Sequence, residues 1–597
     1  MSTSLNVSKS TIKAFLTGAS SQPLVIPEYQ RPYSWTEDQV DTLIDDIWEF
    51  SVLNGNETNQ FYFLGSIVSF INESGENEII DGQQRLTTLF LLLRSIYEKL
   101  SEGEENQERN YLISQIKQVI FSLDPITGEI VKDKFLLTSR VIREDSRQPL
   151  HDLITNGAAA AAGKEDQYSQ NYRHIREALD KKGAYSPTHF NVFVRSIINQ
   201  TIILPITADN QDTALDIFQT LNDRGLPLSD ADIFKAKIYK NEEKENRSKF
   251  VEFWQKLERD TIDCNESIQK LFYYYMFFIR AAEGDTKSTT PGLRKFYLYD
   301  KGKRLYDNQV LPHLSEMLEL WRAVNLRQYD DENNWESVKE ICKTLDILYT
   351  YPNEFWKYPV CVYFLKYKND KYFKENFEVF LKKLSAFLII AYLKSPTVNS
   401  IKSPISKLNQ KIYHSSHPDF GDFPNLSEIS KDHLIKSPQK IVKMLLKFFA
   451  YTRQDELLPT NWEIEHIFPQ KWDDHYFDKS YSPDKIYEMI EHLGNKTPLE
   501  KKLNIKASNG YFHQKLIEYN KTKIAITKNI QKSNCNKDWS IEDITIRDME
   551  LYNTFNNVIG NWIKLGFKDE QNLSSKLTPE QIAAIELLKN SGFTVNK

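Results

Sequence analysis

Two polar clusters in this 597-residue chain have the residue types and spacing to do chemistry. The first lies in "IIDGQQRLTTLFLLL", residues 79–93. Asp81, Gly82, Gln83, Gln84 and Arg85 separate an apolar pair from a stretch where Leu86, Leu89, Phe90 and Leu93 recur at helix spacing. A glycine between strand and helix lets the backbone approach a ligand closely. The helix behind it turns unpaired N–H groups and a positive dipole end toward an anion. Arg85 could add a bidentate phosphate contact, Asp81 suits a metal or a ribose hydroxyl, and the two glutamines are neutral hydrogen-bonders. The pattern is neither Walker A nor GxGxxG. Upstream, "IPEYQRPYSW" (26–35) sets Gln30 and Arg31 among Tyr29, Pro32 and Trp35. That grouping suits stacking on a base or holding a phosphate, and equally a polar surface turn closed by an arginine salt bridge.

The second cluster is "NWEIEHIFPQKW" (461–472) followed by "HLGNKTPLEKKLNIKASN" (492–509). Glu463, Glu465 and His466 sit on an expected strand running into a proline turn, with Asn495 and Asn504 further on. An acid–histidine pair with later asparagines suits one-metal phosphodiester cleavage. The neutral imidazole takes a proton from water, and carboxylate and amide oxygens are hard ligands for Mg²⁺ or Mn²⁺. A structural zinc site is disfavoured, because no thiolate is near His466 and neither His475 nor His492 has zinc-pair spacing. A lone strand histidine is otherwise more often structural.

The elements that must position these groups read as a mixed set. "WTEDQVDTLIDDIWEF" carries Val40, Leu43, Ile44, Ile47 and Trp48 on one helical face, with Thr36 as N-cap. "FYFLGSIVSFI" and "NEIIDG" read as neighbouring strands joined at "NESGE", and "LDPITGEIVKD" as a hairpin turn. "TIILPIT" reads as a strand leading to two helices, the second capped by Ser229. "NGAAAAAGKEDQ" reads as a loop with nothing to pack, and residues 403–433 as a loose interdomain passage. Long aromatic helices fill residues 245–400, and "LTPEQIAAIELLKNSGF" reads as a short amphipathic tail helix.

At this length two to four domains are expected. With 40% hydrophobic and 26% charged residues the chain is globular, and a net charge of −6 confines any nucleic-acid site to a local basic surface. Four scattered cysteines argue against a disulfide framework and fit a reducing compartment. No signal-peptide core or membrane-length apolar run is present, so a cytoplasmic protein is expected.

"IPEYQRPYSW", "FLGSIV", "IIDGQQRLTTL" and "FQTLNDRGLPLSDADIFK" occur in that order over about 240 residues, and together they resemble the N-terminal domain of GmrSD-like modification-dependent (type IV) restriction proteins. The resemblance implies a ParB/sulfiredoxin-like α/β domain that binds, and in several members hydrolyses, a nucleoside triphosphate. By position, Asp81, Gly82, Gln83, Gln84, Arg85 and Thr87 would line that site with Gln30 and Arg31. Asn222, Arg224 and Gly225 match a further motif that could simply brace a turn. "EHIFPQ…LGNKTPLEKKLNIKASN" resembles the HNH (ββα-metal) nuclease module at the C-terminus of the same family, and is similar to the HNH motif of RNA-guided CRISPR nucleases. That match implies Glu465 and Asn504 as metal ligands and His466 as general base. Asn495 would be the second catalytic residue, orienting the histidine loop, and His513 a weaker candidate. Many such motifs carry Asp where this chain has Glu465, which leaves room for Glu463 or a water to share the metal. The lysines of 496–506 offer local charge to a DNA backbone, or only a solvated face.

The expectation is therefore a multidomain, predominantly α-helical chain with α/β parts. Residues 1–245 form the NTP-binding domain, 246–435 a helical connector, 436–545 the HNH nuclease and 546–597 a helical tail. The expected function is nucleotide-regulated, metal-dependent cutting or nicking of foreign phage DNA, with modified DNA the expected target. Its cofactors would be Mg²⁺ or Mn²⁺ and GTP, ATP or another NTP, and its partners double-stranded DNA, without a membrane, with homo-oligomer formation left open. The alternative is a nucleotide-responsive DNA sensor with an inactive HNH module.

Overall fold

The computed structural model describes residues 6–7, 9–19, 21–54, 59–141, 149–211, 213–215, 217, 229–328, 334–472, 481–530 and 538–569. The Asn222, Arg224 and Gly225 motif, His475, Cys535 and the expected tail helix lie outside these residues. The chain is mostly helical and divides into two compact bodies, Met1–Lys256 and Leu257–Lys597. Among the described residues no helix is long and apolar enough to cross a membrane.

The first body is built on one mixed sheet. Its strands are β1 (Asn6–Val7), β2 (Ser10–Thr11), β3 (Leu24–Ile26), β4 (Tyr62–Ile71), β5 (Asn77–Asp81), β6 (Leu137–Ser139) and β7 (Thr201–Ala208). They run in the order β1-β7-β4-β5-β3-β6, with β2 also on β7. β4 and β5 are antiparallel neighbours joined through residues 72–76, the short connection expected of adjacent strands. Both faces of the sheet are covered, which explains the adjacent apolar pair before the polar turn. Ile79 enters the large core beneath the helices, and Ile80 enters a smaller one with Tyr29, Val68, Ile206 and Ala236. Ser229 starts the helix Asp230–Asn241 with a full capping box to Asp232.

Three local expectations are corrected. The alanine run is not an unpacked loop: Ala158–Ala161 is a short helix with Ala160 and Ala161 buried. Small side chains let it lie close to the helices Pro149–Asn156 and Gln167–Tyr185. Residues 403–433 are not a loose passage, since Asn399–His414 is a helix burying Ile401, Ile405, Leu408 and Ile412 despite Pro404 inside it. Phe420 then stacks on Phe387 at 5.1 Å. Thr36 flanks its helix, but its amide and hydroxyl both donate to Gln39 Oε1 rather than the hydroxyl accepting from the backbone.

Among the described residues the second body is helical apart from one hairpin, β8 (Trp462–His466) and β9 (Lys496–Glu500). Layers such as Ile268–Ala282, Lys357–Tyr367 and Phe373–Lys394 pack through rings, with Tyr363 and Phe380 stacked at 4.2 Å. The helix Ile541–Lys564 runs from Phe373–Lys394 to the short turn Leu493–Asn495 before β9.

Candidate functional site

In the first body the strand β5 ends at Asp81, and the helix Gln83–Glu102 begins two residues later. Gly82 makes the junction with φ 90°, a left-handed conformation that costs a glycine little. An added Cβ there would also collide with Ile67 Cδ1. Gly82, at the N-cap, has no side chain to satisfy the first-turn amides, a helix start that suits an anion. From Leu86 to Ile96 every residue of the helix is buried, which fixes the direction of that N-terminus.

The three glutamines are engaged inside the protein. Gln30 Nε2 donates to Ile80 O at 3.3 Å, and Gln83 Nε2 donates to Gln30 Oε1 at 3.1 Å. Gln84 Oε1 accepts from the amides of Ser34 and Trp35 at 2.8 and 3.3 Å, and its Nε2 donates to Pro32 O at 3.1 Å. The two sequence motifs are thus stitched into one unit, with Thr87 buried behind them. The charged members stay partly open. Arg85 pairs with Asp81 at 3.4 Å and donates to Leu64 O at 3.3 Å, both side chains between a fifth and a quarter exposed. Burial pushes the Asp81 carboxyl up, while Arg85, the Gly82 amide and nearby Arg31 pull it down. Gly65, missed as a site residue, has φ 129° and no room for a Cβ, which would collide with the Arg85 guanidinium. Its signal was its place in "FLGSIV". An acid, two arginines and uncapped amides around one turn suit a phosphate-bearing ligand with an attached polar group.

In the second body Glu465 faces Thr497 and His466 faces Lys496 across the β8–β9 ladder. The helix Lys501–Ala507 follows β9 directly and carries Asn504. The His466 side chain is 14% exposed, with Glu491 Oε1 at 3.8 Å and Gln470 Nε2 at 3.5 Å from its Nε2. Burial, helped by Lys496 and opposed by Glu491, holds its pKa down to about 4, so the ring is neutral at pH 7. Asn495 is fully buried: its Oδ1 accepts the Phe468 amide at 2.7 Å, and its Nδ2 donates to Phe468 O and Ile490 O. Its place is under the histidine loop rather than at an open surface. His513 is exposed and pairs with Asp538 at 3.1 Å.

The residues implied for a divalent cation fit it only in part. Asn504 Oδ1 is buried without a hydrogen-bond donor, which suits a ligand oxygen. Its Nδ2 reaches Glu463 Oε2 at 3.4 Å, so Glu463, not Glu465, is its carboxylate neighbour. Glu465 is buried, and its Oε1 accepts from Lys515 Nζ at 2.8 Å and Tyr519 Oη at 2.9 Å. An ammonium therefore stands where a cation would bind that oxygen. Burial pushes the Glu465 carboxyl up and the Lys515 ammonium down, so both charges are held at a desolvation cost. Among the described residues no three His, Cys, Asp or Glu side chains cluster as a metal set. Lys515 and Tyr519 were missed from sequence, and their only signal was an i, i+4 pair on the helix Phe512–Tyr519. Lys496, counted among the DNA-facing lysines, is buried and bonded to Glu491, whereas Lys501, Lys502 and Lys506 are exposed.

No curated protein matches the chain at a significant level. Two family profiles do. Residues 12–239 match the GmrSD restriction endonuclease N-terminal domain, and residues 425–554 match the GmrSD restriction endonuclease C-terminal domain. The first match contains the whole β5 turn, and the second contains β8, β9 and Asn504. Together they span more than half of the chain, which belongs to the GmrSD restriction endonuclease family.

Proposed function

We propose that the chain is an HNH-type endonuclease that nicks or cuts foreign phage DNA, modified DNA above all, under control of a nucleoside triphosphate. The observation that carries this reading is His466: a neutral, nearly buried imidazole at the end of a two-stranded hairpin followed by a helix bearing Asn504. That order of elements supports a ββα-metal module, as the sheet with its β5 turn supports a ParB/sulfiredoxin-like NTP domain. The His466 ring takes a proton from a water whose oxygen forms the new bond to phosphorus. The bond from phosphorus to the leaving sugar oxygen breaks, and that oxygen picks up a proton from solvent. The exposed Lys501, Lys502 and Lys506 offer charge to the DNA backbone beside Asn504. A Mg²⁺ or Mn²⁺ ion would supply charge neutralisation at the phosphate, with Asn504 and Glu463 the residues to hold it while Lys515 engages Glu465.

At the other site, Arg31 and Arg85 with the uncapped amides of Gln83–Arg85 would hold the phosphates, and Asp81 a ribose hydroxyl or a metal. A second reading, a nucleotide-responsive DNA sensor with a silent nuclease module, is favoured by one observation, the engagement of Glu465 by Lys515 and Tyr519. A panel separates the two. Unmodified, glucosylated and phosphorothioated DNA are incubated with Mg²⁺ or Mn²⁺, with and without GTP or ATP. Cutting that needs the metal and changes rate with nucleotide supports the first reading. No cutting under any combination, with nucleotide-dependent DNA binding retained, supports the sensor.

A further inference from the structure

The segment His492–Lys496 holds the loop after His466, and it is itself gripped from the C-terminal helix Ile541–Lys564. Asn495 O accepts the Ile467 amide at 2.8 Å, its Oδ1 accepts the Phe468 amide at 2.7 Å, and Lys496 pairs with His466 in the ladder. On the far side of the segment, Asp548 Oδ1 accepts the Gly494 amide at 2.7 Å and Asp548 Oδ2 lies 2.7 Å from His492 Nδ1. Arg547 Nη1 donates to Gly494 O at 2.7 Å and to Lys496 O at 2.8 Å. Asp548 is 1% exposed and Arg547 7%, so these bonds face no competition from water. The packing leaves no slack: a Cβ at Gly494 would stand 2.6 Å from both Asp548 Oδ1 and Ile544 O.

We propose that Asp548, with Arg547, is a positioning residue for the cleavage centre: it fixes the His492–Lys496 segment and through Asn495 sets the His466 ring. The expected boundary of the nuclease at residue 545 would then cut through its support. Removing the Asp548 carboxylate strands two buried donors, the Gly494 amide and the His492 ring, and the cheapest relief is for the segment to move and admit water. The bonds that loosen next are those from Ile467 and Phe468 to Asn495. The proposal rests on His466 as the base for its catalytic consequence, but its structural half is measurable without activity.

The test is amide hydrogen exchange on the full-length chain, with Asp548→Ala, Asp548→Asn and Arg547→Lys beside wild type, and single-turnover cleavage on the same samples. The expected result is at least about tenfold faster exchange at Ile467 and Phe468 in Asp548→Ala. The helix Ile268–Ala282 should be unchanged, the maximal single-turnover rate constant should fall about tenfold or more, and the half-saturating concentration should move less than about threefold. Asp548→Asn, which keeps an acceptor for Gly494, should recover most of both. Unchanged exchange at 467–468, or cleavage unaffected by faster exchange, overturns the proposal. If Asp548→Ala does not fold, Arg547→Lys carries the same two readouts. It cannot keep both bonds to Gly494 O and Lys496 O, so it should speed exchange at Ile467 and Phe468 and slow cleavage. Wild-type values for both overturn the proposal. His466→Ala cutting as fast as wild type would refute the nuclease reading instead, and the exchange data would still decide whether Asp548 holds the loop.

Discussion

At the residue scale the two candidate sites divide their polar groups between bracing and chemistry. Gln84 closes the strand–helix turn against Ser34, Trp35 and Pro32, whereas Arg85 keeps part of its guanidinium open. Arg85→Ala should weaken triphosphate binding about tenfold or more in a calorimetric titration, with little loss of stability. Gln84→Ala should instead cost about 1–3 kcal/mol of stability in denaturant unfolding, because it strands buried backbone groups. His466 makes a pH prediction with a definite sign. Its folded pKa, about 4, lies below the ordinary histidine value, so the folded state binds fewer protons than the unfolded one between those limits. Any stability tied to the neutral ring is present above the unfolded pKa and is lost as pH falls through the folded one. A rate set by His466 as base should be flat across neutral pH and fall only as pH approaches 4. An acid limb centred at the ordinary histidine value would show that the ring is not held as described.

At the element scale, the sequence could be read where local pattern and burial agree. The β-branched and aromatic run of β4, the short apolar run of β5, the Ser229 cap and the strand ending in His466 all follow from local composition and short-range hydrogen bonding. What could not be read depends on contacts distant in the chain. Lys515 and Tyr519 meet Glu465 across about fifty intervening residues, and Asp548 meets Gly494 across a similar stretch, with no local periodicity to announce either. The alanine run failed for the opposite reason: local reasoning found no apolar stripe, and tertiary packing supplied a place for small side chains. The Glu465–Lys515 pair carries its own prediction. Lys515→Met leaves a buried carboxylate without its cation and should lower stability by about 3–5 kcal/mol. If the ammonium competes with a divalent ion, the same variant should bind Mn²⁺ more tightly by electron paramagnetic resonance. Weaker Mn²⁺ binding would show that Lys515 supports the cation site rather than occupying it.

At the scale of the whole molecule, two compact bodies each carry one candidate site, and the matched family profiles fall one on each. A ligand that binds only the folded form raises stability in proportion to the logarithm of its concentration over Kd, about 2.7 kcal/mol at a hundredfold excess. In a calorimetric melt a triphosphate should therefore raise the transition of the Met1–Lys256 body, and Arg85→Ala, with its tenfold weaker binding, should cut that shift to about half or less at the same concentration. Control of one body by the other is the further claim, and it requires that nucleotide change the cutting rate of the intact chain. The most direct test of the central claim is single-turnover nicking of a supercoiled plasmid carrying the susceptible modification by wild type and His466→Ala, with Mg²⁺ or Mn²⁺ and nucleotide. A loss of about a hundredfold or more in the variant, with DNA binding intact, is the predicted result. Equal rates for the two proteins would contradict His466 as the base and, with it, the assignment of the β8–β9 hairpin as the cleavage centre.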